Sequence, residues 1–380
     1  MGQYKVAIII PVFNQWALTA DCLRSLREHT PDEDVQVIVV DNGSTDETAG
    51  ACGVLGQELF GKRFEHLRLD ENINFGPGCN LGAGRAGADF LFFLNNDTLL
   101  TPGWLPPLLA SFDNNMQAGA VGPLLLFPVT ERVQHVGVAF RPEKEGAHLY
   151  EQFPGDHPLV HVKRSVQAIT GAALLIPREL FVQVGAFFEG YRNGYEDFDL
   201  CFRLRRLGRE LSCCTQSRVY HLSSRTAGRF SCEAANRNIF LSRFGSDVVH
   251  DFLHFATKDG YEIVQDPRGR MIFKLRRERR DELIELVKKN QSARFLWDIL
   301  YQEPLFIEGY ELLARVLEEQ GEWSRACGVR FLRVHFAPSI GSCRKLLNAA
   351  QLSKNSEIYK SAISALKFVQ LNNESCYEII

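Results

Sequence analysis

The chain has 380 residues, a formal net charge of −3, 45% hydrophobic residues and 23% charged residues. At roughly 150 residues per domain this length makes two to three domains, and the composition is that of a soluble globular protein with ample core. The near-neutral charge excludes a general nucleic-acid binder, which carries a strong basic excess, so no nucleic-acid partner is expected.

The opening MGQYKVAIIIPVF carries one Lys and an apolar run broken by Pro11, which reads as a buried first strand and not a signal peptide. Continuous β-branched runs at Val6–Ile10 and Val35–Val40, and an apolar run at Phe90–Leu94, are each as long as a strand buried on both faces. Between them lies a helix over Gln15–His29, with Leu18, Cys22 and Leu26 spaced by four; Ser44-Thr45-Asp46-Glu47 supplies cap chemistry before a second helix. This alternation predicts a doubly wound, mostly parallel α/β sheet, which binds ligands beyond the carboxyl ends of its strands. Those ends carry Pro11-Val12-Phe13-Asn14, Asp41-Asn42 and Asn95-Asn96-Asp97.

The longest apolar stretch, Ala118 to Val129, has 12 residues and two prolines, short of the ~20 a membrane span needs. Strand-like stretches follow at Val133–Phe140 and Val166–Ile176, separated by a polar loop from Arg141 to Asp156 that reads as a surface insertion or a lid. A helix begins near Glu196, with Leu200, Leu204 and Leu207 on one face and Gly208 as its stop, before a strand at Arg218–His221. Residues 266–282 hold Arg268, Arg270, Lys274, Arg276, Arg277, Arg279 and Arg280. This run reads as a solvated linker or, in a sharper reading, as a peripheral contact with an anionic membrane. Beyond it the chain is helical: Leu313, Ala314, Gly321, Ala326 and Pro338 fall at the offsets of a 34-residue helix-turn-helix repeat, and 341–374 reads as a degenerate second unit with Asn355 at the turn. Two such repeats rarely stand alone, so packing on the catalytic domain or a homodimer through this tail is expected. The expected domains are 1–255, a basic linker at 256–285, and a helical, tetratricopeptide-like region at 286–380. The ten cysteines are scattered without a C-x-x-C, which speaks against a zinc ribbon or a disulfide scaffold and for a reduced, cytoplasmic protein.

Three places carry chemistry. Asn95 and Asp97, two apart at a strand end, project to the same side of an extended chain, and a carboxylate there suits a divalent cation on nucleotide phosphates; an Asx turn explains the composition equally well. Gly194-Tyr195-Glu196-Asp197-Phe198-Asp199 places three carboxylates in four residues at a helix start, more than capping requires. His221 ends a strand, and Arg225 and Arg229 follow it as guanidinium groups suited to phosphate oxygens. An imidazole beside a carboxylate tilts the choice of cation toward Mn²⁺ over Mg²⁺.

Taken together these stretches resemble bacterial family-2 glycosyltransferases of the GT-A fold, in the rhamnosyltransferase-like branch. The resemblance is carried, in order, by VAIIIPVFNQ (6–15), VIVVDNGSTDET (37–48), ENINFGPGCNLGAG (71–84), FLNNDTLLTPGW (93–104), TGAALLIPRELFVQVGAF (170–187), GYEDFDLCFRLRRLG (194–208) and VYHLSSRT (219–226). It implies that Pro11, Phe13 and Asn14 line a nucleotide pocket, that Asp41 bonds the donor base with Ser44 and Asp46 supporting its loop, and that Asn74, Gly76 and Asn80 lie beside the nucleotide sugar. It places Asn95 and Asp97 at the D-x-D motif, with Asp97 and His221 as metal ligands, and makes Asp197 the general base with Glu196 in support. Asn95 departs from the pattern, leaving one carboxylate in that motif.

The implied activity is metal-dependent, inverting transfer of a sugar from a UDP- or dTDP-linked donor to a hydroxyl of a saccharide, a lipid-linked saccharide or a protein, in cell-surface polysaccharide or glycoconjugate synthesis. In a second reading the helical tail docks a polypeptide acceptor; in a third the chain is an inactive scaffold, against which the retained Asp97, Glu196, Asp197 and His221 argue. A dinucleotide-dependent oxidoreductase is disfavoured, because Gly76, Gly78, Gly82 and Gly84 do not match G-x-G-x-x-G and the first strand–helix junction has no glycine.

Overall fold

The computed structural model describes residues 2–30, 34–222 and 232–374. The chain forms two compact units, Met1–Glu151 with Val160–His250, and Gln152–Leu159 with Asp251–Ile380.

The first unit opens with β1 (Tyr4–Val12), α1 (Trp16–His29), β2 (Val35–Asp41), α2 (Thr48–Phe60), β3 (Phe64–Arg68), α3 (Phe75–Arg85) and β4 (Ala88–Leu94). Their strands pair in parallel in the order β3-β2-β1-β4. Every residue from Val6 to Val12 is buried, as a strand covered on both faces requires. Asp46 ties this half together: its carboxylate accepts from the backbone N–H of Trp16 at 3.0 Å and of Thr48 at 3.0 Å, at the starts of both helices.

The unit continues through β5 (Thr98–Leu100), α4 (Leu105–Asp113), β6 (Ala118–Leu126), β7 (Val133–His135), β8 (Val138–Phe140), β9 (Gly146–His148), β10 (Ala173–Pro177), α5 (Arg178–Gln183), α6 (Glu196–Arg206), β11 (Glu210–His221) and α7 (Glu233–Phe244). The full sheet runs β3-β2-β1-β4-β10-β6-β11-β5, with β7 on β6. Because β10 is antiparallel to both β4 and β6, and β5 to β11, the sheet is mixed: the parallel pattern holds for its first half and for β6 with β11. The reversal matters for the site. It brings the start of β10 against the end of β4, where Asn95 N–H donates to the Ala172 carbonyl at 2.9 Å. The polar loop after Arg141 contains β9, and Ala147, Leu149 and Tyr150 are buried there, so this part is a packed hairpin.

In the second unit, α8 (Phe252–Lys258) precedes a hairpin of β12 (Glu262–Gln265) and β13 (Met271–Lys274), then α9 (Arg277–Lys289), α10 (Ala293–Gln302), α11 (Ile307–Glu319), α12 (Trp323–Phe336), α13 (Ile340–Leu352) and α14 (Ser356–Glu374). The stretch expected as a basic linker thus carries the hairpin and much of α9. Its arginines find partners within the unit: Arg268 with Asp266 at 2.6 Å, Arg279 with Glu303 at 2.6 Å, Arg280 with Glu308 at 2.5 Å, and Arg270 over the Phe368 ring. These pairs engage charge that the sequence reading set aside for a membrane. The helices α11 to α14 pack in succession, with Leu313, Ala314 and Ala326 fully buried and Gly321 at φ 74 in the turn. That left-handed turn is what the glycine permits. Ser339 and Ser342 cap α13 reciprocally, each hydroxyl accepting from the other's backbone N–H. Among the described residues no helix is long and apolar enough to cross a membrane, and the described cysteines are free. Burial pushes the Cys22, Cys52 and Cys201 thiols up to about 12, which suits packing and not reactivity.

Candidate active site

A cleft opens beyond the carboxyl ends of β1, β2 and β4. Pro11, Phe13, Asn74, Asn95, Asp97, Glu196 and Asp197 all line it, so segments far apart in sequence converge there. A second cavity shares Thr170, Asn193, Gly194 and Asp197 with the first and adds Glu151, His148, Tyr195, His221 and Glu233. Asp197 therefore faces both.

His221, at the end of β11, and Asp97, just after β4, are both buried. The imidazole Nε2 stands 3.0 Å from Asp97 Oδ1, and Asn95 Nδ2 is 3.4 Å from the same nitrogen. Adjacent ligands of an octahedral cation at ~2.1 Å stand ~3.0 Å apart, so a carboxylate oxygen and an imidazole nitrogen at this separation fit one divalent ion. Among the described residues no cluster of three or more His, Cys, Asp or Glu is placed to hold a metal; the protein offers this pair, and Asn95 beside it. Arg225 and Arg229 lie outside the described residues.

The acidic helix start separates its three carboxylates. Asn193, Gly194 and Tyr195 all have positive φ (52, 147 and 74), a reversal that only the central glycine adopts without strain. Asn236, buried on α7, holds the turn by donating to the Arg192 and Gly194 carbonyls at 2.9 and 3.0 Å. Glu196 folds back so that its Oε2 accepts from Gly194 N–H at 2.6 Å, while its Oε1 is buried without a partner. Burial, reinforced by Asp197, pushes the Glu196 carboxyl up to about 7. Asp197 is half-buried; its Oδ2 accepts from Gly171 N–H at 2.8 Å and its Oδ1 from Phe198 N–H at 2.9 Å. A Cβ on Gly171 would come within 3.3 Å of the Asp197 Cβ, so the glycine lets β10's leading loop approach this carboxylate. Asp199 is fully buried and accepts from Tyr191, Arg203 and Arg243 at 3.1, 2.6 and 2.6 Å. It is an internal ion-pair hub.

Other residues singled out from the sequence brace the loops that carry the lining. Asn14 N–H donates to Ser44 Oγ at 2.8 Å, and its Oδ1 accepts from Thr45 N–H at 2.7 Å. Asp41 is buried, with Oδ1 accepting from Ser44 N–H at 2.8 Å and Oδ2 from Arg68 at 2.5 Å. Asn80 pins the loop after α5, accepting from Phe187 N–H and donating to its carbonyl, both at 2.9 Å, and Gly76 packs against Glu196. Sequence reasoning missed Asn42, Thr170, Gly171 and Asn193 in the lining, and Gln134 behind His221. Asn42, Thr170 and Gly171 stand in stretches quoted above but received no role, and Asn193 and Gln134 lie where an amide residue carries no spacing signal.

Comparison with known proteins bears on the family of the chain. The family model described as "Glycosyl transferase family 2" matches residues 7–170. The chain is 31% identical over 229 residues to "O-antigen biosynthesis protein RfbC" of Myxococcus xanthus, covering 59% of this chain but 18% of that protein. It is 30% identical over 223 residues to "N-acetylglucosaminyl-diphospho-decaprenol L-rhamnosyltransferase" of Mycobacterium tuberculosis, covering 51% of this chain and 69% of that protein. The chain thus spans less than a fifth of RfbC and about two thirds of the mycobacterial protein. A crystal structure of GalNAc-T7 with UDP, GalNAc and Mn²⁺ aligns at TM-score 0.49 and 18% identity, over 57% of this chain and 43% of that one. The chain belongs to glycosyl transferase family 2.

Proposed function

We propose that the chain transfers a sugar, with inversion, from a UDP- or dTDP-linked donor to a hydroxyl of a saccharide or lipid-linked saccharide in polysaccharide or glycoconjugate synthesis. The observation that carries this reading is the position of Asp197. It lines both the cleft that holds Asp97 and the second cavity, with its carboxylate orientation fixed by two backbone N–H groups.

In this reading the donor nucleotide lies against Pro11, Phe13 and Asn42, on loops that Asp41, Ser44 and Asn14 brace, with the sugar toward Asn74 and Glu196. The acceptor hydroxyl enters from the second cavity. Its oxygen bonds to the anomeric carbon from the face opposite the diphosphate, the bond to the diphosphate breaks, and Asp197 takes the hydroxyl proton. Asp97 and His221 would hold Mn²⁺ or Mg²⁺, which when bound neutralises charge building on the departing diphosphate. Glu196, whose carboxyl burial raises to about 7 and which is tied back to Gly194 N–H, is the less available acid, which leaves Asp197 as the carboxylate for proton removal. The mycobacterial relative, named as a rhamnosyltransferase of a decaprenol-linked saccharide, supports a lipid-linked saccharide acceptor.

A thermal-shift panel of UDP- and dTDP-sugars, with and without Mn²⁺, tests the reading. A cognate donor at a hundred times its Kd stabilises the fold by about 2.7 kcal/mol, a shift of several degrees. A panel in which no nucleotide sugar moves the transition would overturn it.

A further inference from the structure

The buried amide of Gln134 is the feature that the transfer chemistry leaves unused. Gln134 is the middle residue of β7, flanked by Val133 and His135, and all three are buried. A buried amide is costly unless its polar atoms are bonded, and here both ends of the amide meet one residue. Gln134 Nε2 donates to the His221 backbone carbonyl at 3.0 Å, and Gln134 Oε1 lies 2.5 Å from His221 Nδ1. The carbonyl can only accept, so it fixes the amide with its nitrogen toward the backbone and its oxygen toward the ring. An amide oxygen can only accept as well, so Nδ1 carries the proton. The opposite ring nitrogen, Nε2, is thereby turned toward Asp97 Oδ1 and the Asn95 amide, the position from which its lone pair would meet a cation shared with Asp97.

We propose that Gln134 is a positioning residue which holds His221 in the Nδ1–H form and at the ring angle that turns the Nε2 lone pair onto a divalent cation shared with Asp97. The inference rests on the role given above to Asp97 and His221. A hydrogen bond to the remote nitrogen of a ligating histidine fixes its tautomer and raises its basicity, and removing such a partner costs about 10- to 100-fold in metal affinity. Asp97 belongs to the loop after β4, whereas Gln134 reaches His221 from β7. Backbone pairing places Asp97 beside His221, with Leu222 N–H donating to the Asp97 carbonyl at 2.9 Å, while Gln134 adds a separate constraint on the angle of the ring itself.

The test is Mn²⁺ affinity of the full chain, measured by electron paramagnetic resonance of free Mn²⁺ with saturating UDP and, in parallel, dTDP; nucleotide affinity without metal is measured beside it. Gln134→Met, which removes the acceptor at similar volume, is expected to raise the Mn²⁺ Kd about 10- to 100-fold. Gln134→Glu, which again offers Nδ1–H an oxygen but loses the donor to the His221 carbonyl, is expected to keep more Mn²⁺ affinity than Gln134→Met, and metal-free nucleotide affinity to change in neither. Should Gln134→Met fail to fold by circular dichroism, Gln134→Asn carries the same expectation, being one methylene too short to span carbonyl and ring together. An unchanged Mn²⁺ Kd in the folded Met or Asn variant would overturn the proposal. So would an equal loss in Gln134→Glu, which would mark a packing effect alone, or a wild-type chain that binds no Mn²⁺. In that last case, metal-free binding of the nucleotide would leave the transferase reading standing, and its absence would remove both.

Discussion

Glu196 gives the most direct test of how the acidic helix start is divided. Its carboxyl is buried, has one oxygen without a partner and lies next to Asp197. Burial first, and Asp197 after it, raise it from 4.5 to about 7, against the opposing bond from Gly194. Below pH 4.5 the group is protonated in folded and unfolded chains alike. As pH rises from there toward 7, the unfolded chain releases the proton before the folded one does. The stability tied to this proton is therefore fully present below the unfolded value and is lost as pH climbs through the folded one. At ~1.4 kcal/mol per pH unit the full loss is about 3 kcal/mol, of which roughly 2 to 3 kcal/mol falls between pH 5 and pH 8. Glu196→Gln cannot titrate and should show a flatter profile. Because the two units need not unfold together, the assay is hydrogen exchange of peptides from α6 and β4 in both proteins at pH 5 and pH 8, corrected for intrinsic exchange. Relative to the variant, the wild-type unit should lose roughly 2 to 3 kcal/mol over that interval. The constant cost of burying the new amide cancels in this difference. Parallel profiles, within about 0.5 kcal/mol of one another, would refute the argument that burial controls this carboxyl.

The neighbouring carboxylates should respond differently. Asp197→Asn should lower kcat by about 10²- to 10⁴-fold while leaving nucleotide affinity within a few-fold, read by product formation and by nucleotide titration; a variant that keeps most of its turnover removes Asp197 as the base. Asp199→Asn should cost about 3 kcal/mol or more of stability in urea, because Arg203 and Arg243 lose their shared buried counter-charge. A change below about 1 kcal/mol would show that the hub is not what holds α7 to α6.

How much of this was legible in the sequence follows from the range of the interactions involved. The strands β1, β2 and β4 announced themselves because a strand buried on both faces must be apolar without interruption, and the polar residues just past their ends mark where the backbone leaves the core. The antiparallel placement of β10 was not legible, since Ala173–Pro177 has the same apolar run whichever way it points. Yet that reversal delivers Gly171 to Asp197. The same limit explains the acidic cluster. Three carboxylates in four residues are visible, but their division into a buried acid raised to about 7, a half-buried carboxylate held by two backbone N–H groups and an ion-pair hub depends on Gly171, Asn193, Arg243 and Asn236, the last two more than 35 residues away along the chain. Periodicity within α6 foretold only that adjacent residues point apart.

The metal pair extends the argument from position to chemistry. A carboxylate three residues past a strand and a histidine ending another are ordinary in isolation; what brings them together is that β5 pairs with β11 in the register Thr98↔His221, which sets Asp97 beside the imidazole. Given that register, Asn95 in place of a second acid has a physical reading. Its carboxamide contributes no charge to a pocket that already holds Asp97, Glu196 and Asp197, and its Nδ2 lies 3.4 Å from His221 Nε2. An aspartate there would crowd a further anion against Asp97 and raise the cost of keeping either ionised before a cation arrives. The neutral residue therefore lowers the charge on the empty cleft, and it shifts the work of gripping a cation from a pair of carboxylates to one carboxylate and an imidazole. A site built that way depends more on the orientation of the ring than an all-carboxylate site does. That dependence is what gives weight to the positioning role proposed for the Gln134 amide, which bonds both the His221 ring and its carbonyl.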